Sequence, residues 1–205
     1  KYDKNFKTGG TDEFSITALN PVLLQDDLLK LEMIPTEKIG GSWQYVFIKQ
    51  YAAEASEKED YNITMNMGFA DETLSEIRVL GLVGRKMNRT FVKNVLEGIG
   101  SSNVSLGSNK ASVDSSYIGG DPVKKETHSR KTIMQMLGAP YDSMSGKTPD
   151  ILVYRYKQRK QDRSLDEKEQ VLKFYFEQNT EKLLSVRAEI KFGTLSLNMA
   201  LRNKN

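Results

Sequence analysis

Cysteine is missing from the 205 residues, and histidine occurs once, at His128. The first absence excludes disulfides, thiol nucleophiles and Cys-based zinc sites. The second leaves a lone imidazole without a recognisable carboxylate partner motif, so neither a catalytic pair nor a metal-ligand spacing is legible. Long apolar runs are absent too: no stretch approaches the roughly 18–20 residues that cross a bilayer as a helix. Neither sign of charge dominates. There are 30 basic and 27 acidic residues, a net charge of +3, so the calculated pI of 8.9 is only a weak pointer to nucleic acid or an anionic membrane.

What is present is a soluble globular profile, 38% hydrophobic and 28% charged. The length suits one large domain or two small ones, and internal repetition favours two. Ser42–Val79 carries "SWQYVFIKQY…YNITMNMGFADETLSEIRV", and Asp150–Ile190 carries "DILVYRYKQR…VLKFYFEQNTEKLLSVRAEI". Each holds an aromatic-rich alternating segment, a charged connection, a second alternating segment, an acidic turn and a third strand pattern. A short apolar helix pattern precedes each, "LLQDDLLKLEMIP" and "SRKTIMQMLGAP". Period-2 alternation with short polar turns predicts antiparallel meanders.

Within the first meander Trp43, Tyr45 and Phe47 share a face; Ile63, Met65 and Met67 alternate next, and Gly68 suggests a bulge. Asn20-Pro21 marks a helix start, Leu24, Leu28 and Leu31 fall at helical spacing, and Pro35 with Gly40-Gly41 ends that helix. Arg89–Gly100 predicts a further helix, with Thr90 as its cap. In the second repeat Thr127 or Ser129 caps a helix burying Ile133, Met136 and Leu137, Gly138 ends it, and Pro140 forbids continuation. Tyr154 and Tyr156 share a face of the following strand, opposite Val153 and Arg155. The expected organisation is a flexible leader at 1–12, a first unit at 13–100 that includes helix 89–98, a Ser/Gly/Asn-rich linker at 101–126 and a second unit at 127–205.

The motifs that could carry chemistry are thin. "SGKT" (Ser145–Thr148) lacks the upstream glycine of a phosphate loop, since that position is Tyr141, and it runs from helix to strand rather than into a helix N-terminus. Asp26-Asp27 suits an early helical turn and Asp71-Glu72 a hairpin turn. The cluster Arg155, Lys157, Arg159, Lys160 and Arg163 is followed at once by Asp162, Asp166, Glu167 and Glu169 among its own neighbours, which makes a solvated, self-neutralising hairpin tip. The aromatic rows are the strongest constellation, because an aromatic sheet face makes a good protein-binding surface.

The stretch "SRKTIMQMLGAPYDSMSG…DILVYRYK…VLKFYFEQNTEKLLSVRA" resembles the small bacterial envelope lipoproteins of the SmpA/OmlA (BamE) type and, more broadly, the β-lactamase-inhibitor-protein-like (BLIP-like) fold. The shared pattern is a helix ending in Leu-Gly-x-Pro, an aromatic strand, a hydrophobic-x-Phe strand, a polar turn and a last strand. Leu23–Val79 matches more loosely. The resemblance implies an α+β fold class: two tandem BLIP-like units, each a short helix or helix pair packed on an antiparallel sheet. It also implies a non-enzymatic, exported cell-envelope protein, with membrane contact only through a lipid anchor. Such a protein would bind another protein, in the manner of a β-lactamase inhibitor, through Trp43, Tyr45, Tyr154, Arg155 and Tyr156. No catalytic residue, cofactor, metal or nucleic acid is expected. The alternative is a binder of a small molecule or cell-wall ligand.

Overall fold

The alternating segments become strands, and so do several stretches without alternation. The computed structural model describes residues 6–10, 13–52, 60–100, 104–105, 110–114, 129–144, 149–178, 180–191 and 193–198. In chain order these form β1 (Phe6–Gly9), β2 (Phe14–Ala18), α1 (Gln25–Lys30), β3 (Glu37–Ile39), β4 (Ser42–Gln50), β5 (Ile63–Ala70) and β6 (Thr73–Leu80). Next come α2 (Gly81–Lys86), α3 (Arg89–Gly100), β7 (Val104–Ser105), β8 (Lys110–Asp114) and α4 (Arg130–Leu137). The chain continues through β9 (Asp142–Met144), β10 (Asp150–Arg159), β11 (Leu165–Phe176), β12 (Leu183–Ile190) and β13 (Gly193–Asn198).

The α+β expectation of helices packed on sheets is overturned. The described residues are mostly antiparallel β-sheet, and α1 and α2 have only six residues each. Strands come from stretches that look like punctuation in the sequence. Gly40 and Gly41 do not stop a helix: with φ of 53° and 83° they form the two-residue turn that pairs Ile39 of β3 with Ser42 of β4. Val104–Ser105 and Lys110–Asp114 lie inside the expected linker, yet they pair with each other, and β8 runs parallel to β13.

The chain divides into two compact units that interleave along the sequence. The first holds the described residues of Lys1–Lys49, Glu59–Met87 and Tyr156–Glu169. The second holds those of Gln50–Lys58, Asn88–Arg155 and Gln170–Asn205. Helix α3 therefore belongs to the second unit, and the outer end of the β10–β11 hairpin to the first. In the first unit the strand order is β1-β2-β6-β5-β4, with β3 also on β4. In the second it is β10-β11-β12-β13-β8-β7, with β9 on β10.

Both repeats are built by the same device. The residue just before α1, Leu24, forms a bridge to Thr73, and Gln25 N–H donates to the Glu72 carbonyl at 3.0 Å. The residue just before α4, Ser129, bridges to Lys182, and Arg130 N–H donates to the Glu181 carbonyl at 3.3 Å. A buried tyrosine then ties the sheet to the end of each helix. Tyr45 donates its hydroxyl to the Met33 carbonyl at 2.9 Å, and Tyr154 donates to the Gly138 carbonyl at 3.1 Å. A buried phenol needs such a partner, since leaving it unbonded costs about 1–3 kcal/mol. Burial pushes the Tyr45 pKa up to about 12, so the hydroxyl keeps its proton and goes on donating into the alkaline range where an ordinary phenol ionises.

Local chemistry accounts for the element ends. Ser129 Oγ accepts from Thr132 N–H at 3.1 Å, an N-cap, and Gly138 closes α4 at φ 71° with its N–H on the Met134 carbonyl. The cap of α3 is Asn88, whose side chain accepts from Phe91 N–H at 2.9 Å, rather than Thr90. Asn20-Pro21 lies ahead of α1, whose N-cap is Leu24. Asp27 serves that helix by accepting from Leu24 N–H at 3.3 Å. Asp71 and Glu72, at φ 48° and 62°, form the two-residue turn between β5 and β6. Register shifts between Gly68 and Phe69, where the sequence suggests a bulge.

Candidate functional site

The structure places four of the five expected anchors inside the protein. Trp43 is 3% exposed, Tyr45 1%, Tyr154 0% and Tyr156 2%. Trp43 and Tyr45 form the first unit's core with Leu28 and Met67, and the Trp43 ring packs against Phe69 with centroids 5.0 Å apart. Tyr154 meets Phe174 edge-on at 5.7 Å. The correction has a plain physical cause. Each such ring carries some 150–250 Å² of surface, worth about 4 kcal/mol when removed from water, and the fold can cover it. Arg155 is half-buried, with its guanidinium 4.8 Å over the Tyr141 ring. It also adds to the positive field on Glu189, whose pKa is held below the ordinary carboxylate value mainly by a hydrogen bond from Lys173.

His128 and Ser145–Thr148 lie outside the described residues. Among the described residues no group of three or more His, Asp or Glu side chains is placed to hold a metal ion, and no helix is long and apolar enough to cross a membrane. One buried cation escapes sequence reading. Lys49 is buried with its ammonium 4.9 Å over the Tyr61 ring, while Lys86 lies equally far over that ring and donates to its hydroxyl at 2.9 Å.

Two surface features of the first unit remain. One is a cleft of about 850 Å³ between β3, β4 and the outer end of the β10–β11 hairpin. Its lining includes Lys38, Arg159, Lys160 and Arg163, with Glu37 as the one lining carboxylate among the described residues. The walls are fastened together: Thr36 accepts from Val46 N–H at 3.1 Å and donates to the Arg159 carbonyl at 2.5 Å, and the Gln158 amide donates to the Ile34 carbonyl at 2.7 Å. Lys38 is steadied with its ammonium 5.0 Å over the Trp43 ring.

The hairpin tip is less self-neutralised than its sequence suggests. Asp162, exposed at the turn, accepts from the Ser164 N–H at 2.9 Å and hydroxyl at 2.6 Å, and these bonds, with a smaller contribution from the Lys160 charge, hold its carboxyl below the usual carboxylate range. Asp166 accepts from Lys168 N–H at 3.3 Å. Neither lines the cleft. Among the described residues, no carboxylate lies within ion-pair distance of Lys38, Arg159, Lys160 or Arg163. The sequence signal for three of these cations was visible. Lys38 was not, because only the fold brings it to them.

The second feature is apolar. Of the eleven exposed large hydrophobic residues among the described residues, seven fall between positions 19 and 39: Leu19, Val22, Leu24, Leu29, Leu31, Ile34 and Ile39. Val22 is 85% exposed and Ile34 55%. Carboxylates border the α1 end of this stretch, from Asp26, Glu32 and the Asp71-Glu72 turn, all exposed. Single exposed aliphatics are ordinary, whereas larger contiguous apolar patches are the kind of surface that protein partners use.

Comparison with protein-family models, with curated proteins and with solved structures finds no match.

Proposed function

We propose that this chain is a non-enzymatic binding protein of the bacterial cell envelope that docks another protein through the aliphatic stretch 19–39. The observation that carries the reading is the concentration of exposed Leu, Ile and Val side chains there, where the aromatic rows are instead used up in the cores. The partner's chemistry follows from the border. A folded protein with an apolar patch flanked by Lys or Arg would meet the aliphatics and pair with Asp26, Glu32, Asp71 and Glu72. The absence of cysteine and the resemblance of the Leu137–Pro140 turn and its following strands to envelope lipoproteins support the export assignment.

Leu31→Ser with Ile34→Ser tests this reading. Both side chains are exposed, so the melting temperature should move by no more than about 2 °C. Capture of a partner from solubilised envelope should fall at least about tenfold, the scale of removing one apolar anchor. Unchanged capture by the folded double variant overturns the reading.

A further inference from the structure

We propose that the cleft lined by Lys38, Arg159, Lys160 and Arg163 is a binding site for a ligand carrying several phosphate or sulfate groups. This site borders the docking stretch, whose end at Thr36–Lys38 lines the cleft, but the exposed aliphatic side chains of that stretch do not line it. Among the described residues, four cations share one concave surface with a single lining carboxylate. Their mutual repulsion is relieved by no ion pair among the described residues, so an incoming polyanion gains interaction with all four. The two arginines favour oxyanions in particular, because a guanidinium fork matches two oxygens of a phosphate or sulfate group.

Size and lining narrow the class. A volume of about 850 Å³ exceeds what one small anion fills and suits an extended one. The rest of the described lining is polar, with Thr36, Gln44 and Gln161, apart from the aliphatic Val46. Among the described residues no aromatic ring lines the cleft, so they offer none of the stacking platform that single-stranded nucleic acid uses. The cleft is also partly preorganised, since Thr36 and Gln158 fix its walls and Trp43 steadies Lys38. Less ordering is then needed on binding.

Inorganic tripolyphosphate titrated calorimetrically into the full chain is the test. Binding should weaken about tenfold as NaCl rises from about 20 to 200 mM. Lys38→Glu and Arg163→Glu should each weaken it about tenfold. Lys168→Glu makes the same change in net charge on the same hairpin, outside the cleft, and should alter affinity by less than about twofold. Phosphatidylglycerol vesicles distinguish the source of the phosphate. Vesicle binding displaced by tripolyphosphate assigns the cleft to a lipid headgroup, and vesicles that fail to bind assign it to a soluble or polymeric polyanion. Absence of tripolyphosphate binding, or equal weakening by Lys168→Glu, overturns the proposal. So does tight binding of an oligodeoxynucleotide that tripolyphosphate cannot displace. Leu31→Ser with Ile34→Ser should leave tripolyphosphate affinity unchanged, which separates failure here from failure of the docking reading.

Discussion

Replacing Tyr154 with alanine should destabilise the protein by about 4 kcal/mol, the range for removing a fully buried ring from a core. Tyr154 is fully buried, lies edge-on to Phe174 and holds the Gly138 carbonyl at the end of α4. The substitution opens a cavity and leaves that carbonyl without the phenol. Tyr154→Phe separates the two losses: it keeps the packing and should cost about 1 kcal/mol, the net worth of one hydrogen bond. Urea denaturation of both variants measures the difference. A Tyr154→Ala loss below about 1 kcal/mol would put the ring in water and return it to the list of binding anchors.

Gly84→Ala should cost about 3 kcal/mol, the upper range for forcing atoms into a packed site. On an exposed helix the same change stabilises by about 1 kcal/mol, because alanine favours the helical backbone. The sign reverses here because of what faces the glycine. A Cβ at Gly84 would run into the carbonyl oxygen of Val79, with the Phe14 backbone nitrogen 3.5 Å away. Val79 cannot yield easily, since it is paired with Phe14 on one side and Met65 on the other. A melting temperature equal to or above that of the parent protein would show that β6 and α2 are not held this closely.

These two sites mark the limits of sequence reading for this chain. Alternation identified which residues share a strand face, so Tyr154 and Tyr156, or Trp43 and Tyr45, were grouped correctly. It does not say which face is covered, and the rings proved to be core. Helix ends were legible where one residue does the work, as at Ser129 and Gly138. They failed where glycines serve a different turn, as at Gly40-Gly41, which closes the β3–β4 hairpin. The parallel pairing of β8 with β13 had no local signal, since Lys110–Asp114 is largely polar and gains its place only from a distant partner. Gly84 and Lys38 share that property. Their roles depend on Val79 and on residues 159–163, contacts that exist only once the chain has folded.

The aromatic rows are core rather than surface, and Trp43 reports on this alone, as the one tryptophan in the chain. Acrylamide quenching of its fluorescence in the native protein is the direct test. With Trp43 3% exposed, native quenching should be several-fold weaker than in urea, and the emission should lie well to the blue of the unfolded chain. Native quenching as strong as in the unfolded protein, with emission at the wavelength of a hydrated indole, would contradict the account and restore the aromatic face as the binding surface.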